Sequence, residues 1–246
     1  MTNISIDINA DIGEGIGNEA DLMPLLSSCN IACGSHAGDL ETMKWCVELA
    51  KQHRVKIRAH PSFPDKENFG RQVVDMSCIA LYQTIKNQIK ALMNVVREQH
   101  AALHHVKPHG ALYNLAVTDK KTAEVIVEVM KSIHLPLKLY VPYGSVISEL
   151  AIKENIPITY AVFADRNYNE DLSLVSRAKE NALIKDVDVM TRHIQNMILH
   201  KKVKTINGVE VPLEAETICV HGDNPEALKL VQNLRLNLMN FGVKIQ

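Results

Sequence analysis

The sequence predicts an α/β protein with a mainly parallel sheet, closed as a barrel or open and doubly wound, with the strand count favouring the barrel. Three observations carry this. Short apolar runs alternate with longer helical patterns along all 246 residues, the signature of repeated strand–helix units. About seven such strands fit the length, near the number a closed barrel uses. The polar residues gather where these runs end, as they do in α/β proteins whose sites lie at the carboxyl ends of strands.

Strands are expected over 4–9, 28–32, 55–59, 103–106, 137–141, 157–162 and 217–220. Between them, helices are expected over 40–53, 76–100, 120–133, 145–154, 187–200 and 225–241. The second helix is the most periodic. Its Ile79, Tyr82, Ile85, Ile89, Leu92 and Val96 recur at three- and four-residue steps and form one apolar stripe. The last helix opens on Asp223-Asn224-Pro225, a cap followed by proline in the first turn. Asn207-Gly208 sits between two alternating runs over 204–211, which predicts a small antiparallel hairpin added to the main body. No repeat, low-complexity tract or flexible linker interrupts the chain, so residues 1–246 are expected to form one domain.

Composition narrows the function. With 27 Lys+Arg against 28 Asp+Glu the net charge is −1, and the basic residues form no stripe. That argues against nucleic acid or a membrane surface as partner. No run approaches the ~18 apolar residues of a membrane span. The start, MTNISIDINADIGEG, lacks the basic and apolar regions of a signal peptide. The five cysteines (29, 33, 46, 78 and 219) are odd in number and unpatterned, which suits reduced thiols. A cytoplasmic protein is expected.

The chemistry gathers at the strand ends. Asp7, Asn9 and Asp11 alternate along the first strand and share one face, with Glu14 just beyond. Charged groups facing a barrel interior are costly unless paired, metal-bound or used, so Asp7 and Asp11 point to function. The second strand runs into His36 and Asp39, and the third into His60, with Arg71 in the following loop. The fourth delivers Lys107, His109 and Asn114, the sixth Asp165 and Arg166, the seventh His221 and Asp223. Asp39 and Asp223 open helices, and capping alone would explain both. His36, His60, His109 and His221 lie in strand-end loops, where imidazoles and carboxylates can hold a divalent metal or move protons. No His-Glu-x-x-His spacing occurs, so a metal rests on convergence alone, with Asp11, His60 and His109 as candidates. His100 and His104 read as a solvated helix terminus, and His53, His134, His193 and His200 as surface residues. Arg71, Lys107, Arg166 and Arg177 suit an anionic substrate or pair with the acidic cluster; the sequence leaves both open.

Several familiar devices are absent. Gly13-Glu14-Gly15-Ile16-Gly17 fails the dinucleotide fingerprint, and its carboxylates would repel a pyrophosphate. There is no phosphate loop of the Gly-x-x-x-x-Gly-Lys type and no Gly-x-Ser-x-Gly elbow. Cys29 and Cys33 share a face with Ile31 and read as packing.

Taken together, Asp7-x-Asn9-x-Asp11-x-Gly13-Glu14-Gly15, Asn30-Ile-Ala-Cys-Gly34-x-His36-Ala-Gly-Asp39, His60-Pro-Ser and Phe69-Gly-Arg71 resemble the LamB/YcsF family. Lys107-Pro-His-Gly-Ala-Leu-Tyr-Asn114, Phe163-Ala-Asp-Arg166 and Cys219-Val-His-Gly-Asp223 continue the match in order across the chain. The resemblance implies a (β/α) barrel of the glycoside hydrolase/deacetylase type with fewer than eight regular strands. It also implies one component of an ATP-hydrolysing 5-oxoprolinase. Together with B and C subunits, it would open 5-oxo-L-proline to L-glutamate as ATP becomes ADP and phosphate, with magnesium accompanying the ATP. A homo-oligomer stays open.

On that reading the catalytic set is Asp7, Asn9, Asp11, His60, Lys107 and His109. The substrate would meet Glu14, His36, Asp39, Arg71, Asn114, Asp165, Arg166, His221 and Asp223. Ser35, Gln72 and Ala161 stand where the family usually has Phe, Arg and Glu, and Leu172-Ser173 replaces a Gly-containing turn. Two alternatives use the same residues: a stand-alone metal-dependent amidase or deacetylase, and a non-catalytic subunit that presents a lactam to its partners.

Overall fold

A computed structural model describes residues 4–222 and 227–246. The strands β1 (Ser5–Ile12), β2 (Ser28–Ala32), β3 (Lys56–His60), β4 (Leu103–Val106), β5 (Lys138–Val141) and β6 (Ile158–Phe163) pair in parallel in that order. An antiparallel hairpin, β7 (Lys202–Lys204) and β8 (Glu210–Pro212), stands apart from them. Then β9 (Thr217–Val220) pairs with both β6 and β1, which closes a parallel barrel of seven strands. Both the barrel and the hairpin agree with the sequence, and Gly208 takes the positive φ (84°) that the hairpin turn requires.

Helices α1 (Glu19–Leu22), α2 (Leu40–Gln52), α3 (Cys78–Glu98), α4 (Gly110–Leu115), α5 (Lys120–Lys131), α6 (Val146–Lys153), α7 (Val187–Leu199) and α8 (Ala227–Asn240) complete the alternation. Asp39, Ser77, Asp119, Ser145 and Asp186 cap α2, α3, α5, α6 and α7 by accepting backbone N–H bonds in the first turn. The cap expected at 223–225 lies outside the described residues. The six long helices fall where their periodicity puts them. The short α1 and α4 were not anticipated, nor was β10 (Lys244–Ile245), which pairs with the start of β1. Among the described residues, no helix is long and apolar enough to cross a membrane.

Alternation along β1 divides the chain's chemistry. Ile6, Ile8, Ala10 and Ile12 are buried in the hydrophobic cluster, while Asp7, Asn9 and Asp11 bond across the barrel interior. That interior is polar and stacked in levels. At the bottom, Asp7 accepts from Arg58 Nη2 (2.6 Å), Thr217 Oγ1 (2.5 Å) and Ser28 Oγ (2.8 Å), and the Arg58 guanidinium lies 3.8 Å from the Tyr140 ring centre. In the middle, Asn9 donates to Thr217 Oγ1 (2.7 Å) and the Ile218 carbonyl (3.0 Å) and accepts from Asn30 (2.8 Å). Asp11 occupies the top.

This stacking corrects two expectations. Asp7 and Asn9, read as catalytic, are satisfied by partners inside the barrel below the pocket, and neither lines it. The inward charge at Asp7 is offset by Arg58, a pairing the strand register creates and sequence spacing does not reveal.

Candidate active site

A pocket of about 400 Å³ opens at the carboxyl ends of the strands. Asp11, His60, Lys107, His109, Phe163 and His221 line it from the barrel, as does Ala161. Arg71, Asn114, Arg166, Tyr168 and Arg177 line it from loops and α4. The outer wall comes from 164–186, a segment braced by short antiparallel pairings of Arg166 with Leu183 and Tyr168 with Leu174. Asp165, Arg166 and Arg177 were marked in this segment, but no strand or helix was expected there because it carries no apolar periodicity.

At the base, Asp11 Oδ1 accepts from Lys107 Nζ (2.9 Å) and Asn30 Nδ2 (2.7 Å) and lies 3.3 Å from His60 Nε2. Burial alone would raise the Asp11 pKa, but the charges of His60 and Lys107 hold it well below the usual carboxylate range. Burial opposes charge on Lys107, yet Asp11 and Cys219, whose Sγ is 3.0 Å from Nζ, raise its pKa above the ordinary lysine value. Asp11 and Lys107 therefore stand as a carboxylate–ammonium pair. His60 is pushed downward by burial, against the pull of Asp11.

Beside this pair lies a buried cluster. Glu14 Oε1 sits 3.1 Å from His36 Nε2 and 3.5 Å from His109 Nδ1, and His109 Nδ1 is 2.9 Å from His60 Nε2. The His36 and His109 rings stack with centres 3.8 Å apart. Burial, then the charge of His60, depresses both, His36 to about 3. Glu14, His36, His60 and His109 have metal-like convergence; Asp11, expected as a ligand, engages Lys107 instead.

Gly70 makes the cluster possible. A Cβ there would lie 2.9 Å from both His109 Cδ2 and His36 Cβ, and its φ is +65°.

On the far wall, Asp165 bonds His221 Nδ1 (2.9 Å), and burial of Asp165 is outweighed by the His221 charge, so its pKa falls. Arg166 donates from Nη2 to the Val175 carbonyl (2.6 Å). Burial, then repulsion from Arg177, brings it down to about 10. Phe163 stacks on His221 with centres 5.2 Å apart.

Not every expected site residue joins the pocket. Asp39 is exposed and binds Thr42 N (2.8 Å) and Oγ1 (2.7 Å) as a helix cap, which corrects its reading as a substrate ligand. Glu14, His36 and Asp165 stand behind the pocket's lining residues. Asp223 lies outside the described residues. His193, expected at the surface, is buried against the Arg166 carbonyl (3.1 Å). Tyr113 and Tyr168 also line the pocket and were not named as site residues; Tyr113 lies within the Lys107–Asn114 motif, and Tyr168 in a polar stretch that carries no motif.

A closed parallel barrel with ionised and imidazole groups at the carboxyl ends of its strands defines the class: an α/β-barrel protein with an enzyme-like polar site. The family is then specific. The chain belongs to the LamB/YcsF family, whose sequence model matches residues 6–246. It is 40% identical over 247 residues to a Shouchella clausii protein named as the A subunit of 5-oxoprolinase, covering 98% of each chain. A Haemophilus influenzae protein of the same name is 41% identical over 240 residues, again with 98% of each covered. The crystal structure of a lactam utilization protein from Thermus thermophilus superposes with a TM-score of 0.91 at 35% identity, covering 99% of both chains.

Proposed function

We propose that this chain is a hydrolase of 5-oxoproline, working in the cytoplasm as the A component of a 5-oxoprolinase with B and C subunits. Residues 1–246 act as one domain. The observation that carries the reading is a pocket lined by Lys107, Arg71, Arg166 and Arg177 together with Asp11, which Lys107 holds ionised, in a chain about 40% identical to proteins of that name. An unstrained lactam resists water, so ATP supplies the driving force by phosphorylating the lactam carbonyl oxygen. The substrate carboxylate and the phosphorylated oxygen are both anions, and arginine's planar fork suits each.

Asp11 orients the attacking water. All its bonds to described residues run through Oδ1, and its pairing with Lys107 keeps it ionised. His109 Nε2 faces the Phe69 carbonyl and its Nδ1 faces His60 and Glu14 within the buried cluster, which leaves Asp11 the better placed of the two residues for water. Lys107 steadies the charge on the transferred phosphoryl oxygens. Water adds to the activated carbon, the ring C–N bond breaks as the nitrogen takes up a proton, and a second water hydrolyses the resulting acyl phosphate to glutamate and phosphate. Asn114, Tyr168 and His221 line the remaining wall.

The test is glutamate release from 5-oxoproline with ATP, first by this chain alone and then with B and C subunits. Glutamate and phosphate appearing together, only in the three-part mixture, supports the proposal. Glutamate from the isolated chain without ATP would instead identify a stand-alone amidase.

A further inference from the structure

The end of β3 and the loops after β1, β2 and β4 bring Glu14, His36, His60 and His109 to one buried point, with one ligand atom of each lying within 4.8 Å of the others. The outer partners decide where the imidazole protons sit. His60 Nδ1 is 2.7 Å from the Lys107 carbonyl, which only accepts, so Nδ1 carries a proton and, in the neutral ring, Nε2 presents a lone pair. His109 Nε2 is 2.9 Å from the Phe69 carbonyl, so its Nδ1 presents the lone pair. His36 Nδ1 is 3.0 Å from Ser62 Oγ, whose own proton goes to the Phe63 carbonyl at 2.8 Å; Nδ1 must donate, leaving Nε2 bare.

Three nitrogen lone pairs and a carboxylate oxygen thus converge. His60 Nε2 meets His109 Nδ1 at 2.9 Å and Asp11 Oδ1 at 3.3 Å, acceptor against acceptor. His36 Nε2 meets Glu14 Oε1 at 3.1 Å in the same way. Left alone, these groups repel, so a positive charge belongs at the centre.

We propose that Glu14, His36, His60 and His109 hold a divalent cation of the zinc class. Three imidazoles and one carboxylate form a borderline donor set that suits zinc over magnesium or calcium. Zinc bonds of about 2.0–2.1 Å place tetrahedral donors about 3.4 Å apart, and the separations of 2.9, 3.1 and 3.5 Å bracket that value. Each histidine is already aimed by a carbonyl or hydroxyl on its other nitrogen, the outer arrangement usual for metal-binding imidazoles. Four protein ligands fill a tetrahedron, so the ion orders the strand-end loops beneath the pocket. This goes beyond the lactam reading and is tested by binding, so either can fail alone.

The experiment strips the full chain with chelator and titrates it with zinc chloride by calorimetry, following thermal unfolding in parallel. Expected are one zinc per chain, a higher Tm, and a tetrahedral-type visible spectrum when cobalt chloride replaces zinc. Glu14→Gln and His36→Asn each weaken zinc binding by about 100-fold or more. Ser62→Ala, which removes only the partner aiming the His36 ring, weakens it by about 10–100-fold. Absence of zinc binding and of any Tm shift in the unsubstituted chain overturns the proposal and leaves a network bridged by protons. Zinc binding that none of the three substitutions alters overturns it too, because the ion would then sit elsewhere.

Discussion

Asp7 and Asp11 stand four residues apart on one face of β1, yet their surroundings give them different work. Asp7 is enclosed by Arg58, Ser28 and Thr217, with no access to the pocket. Removing one member of a buried pair strands the other charge, so Asp7→Leu should cost about 3–5 kcal/mol of stability. The double variant Asp7→Leu/Arg58→Met should recover most of that loss. Urea unfolding measures both, and equal losses in the single and double variants would contradict the pairing. Gly70→Ala acts through sterics instead. Its Cβ would press on His36 and His109 at 2.9 Å from a left-handed backbone, and a loss of about 1–3 kcal/mol is expected. A thermal midpoint equal to that of the unsubstituted chain would show that the cluster gives way easily.

At the scale of elements, the barrel supplies the floor of the site and the segment over 164–186 supplies one wall. Arg166 is the wall's buried cation, so Arg166→Met should raise the KM for 5-oxoproline about 10–100-fold, the worth of a hydrogen bond to a charged group. A change in kcat with KM unmoved would place Arg166 away from the substrate carboxylate. The strands and long helices were legible in the sequence because each carries its own periodicity, and the strand-end motifs marked Asp11, His60, Lys107 and His109 as neighbours. The division of β1 into a structural Asp7 and a pocket-lining Asp11 was not legible, since it depends on the registers of β1 with β2 and β9 and of β2 with β3. The wall was hidden for another reason: its pairings are isolated bridges between residues such as Tyr168 and Leu174, without alternation. Leu172 in that wall adopts φ +64°, a left-handed turn position that glycine would fill without strain and that leucine fills at some cost.

Across the whole molecule, burial of neutral histidines makes stability depend on pH. His105 is depressed to about 2 by burial and then by Arg58, and His193 to about 4 by burial. A folded-state pKa below the ordinary 6.5 means that the unfolded chain binds more protons between the two values, so stability falls as pH drops through 6.5 and goes on falling toward 4. For His193 the full effect is about 3 kcal/mol. Urea midpoints should therefore be lower at pH 5 than at pH 8, and His193→Gln should shrink that difference; an unchanged difference would clear His193 of the effect.

Barrel, site and reaction meet at Asp11 at the top of β1, which on the proposed function serves the opening of a lactam. Its most direct test is the rate of glutamate formation from 5-oxoproline and ATP by the complete three-component mixture, comparing Asp11→Asn with the unsubstituted chain at matched thermal stability. The substitution should lower kcat by about 100-fold or more, the scale of a lost general-base contribution. A folded Asp11→Asn chain that supports full glutamate production would contradict it and make this protein a scaffold for its partners.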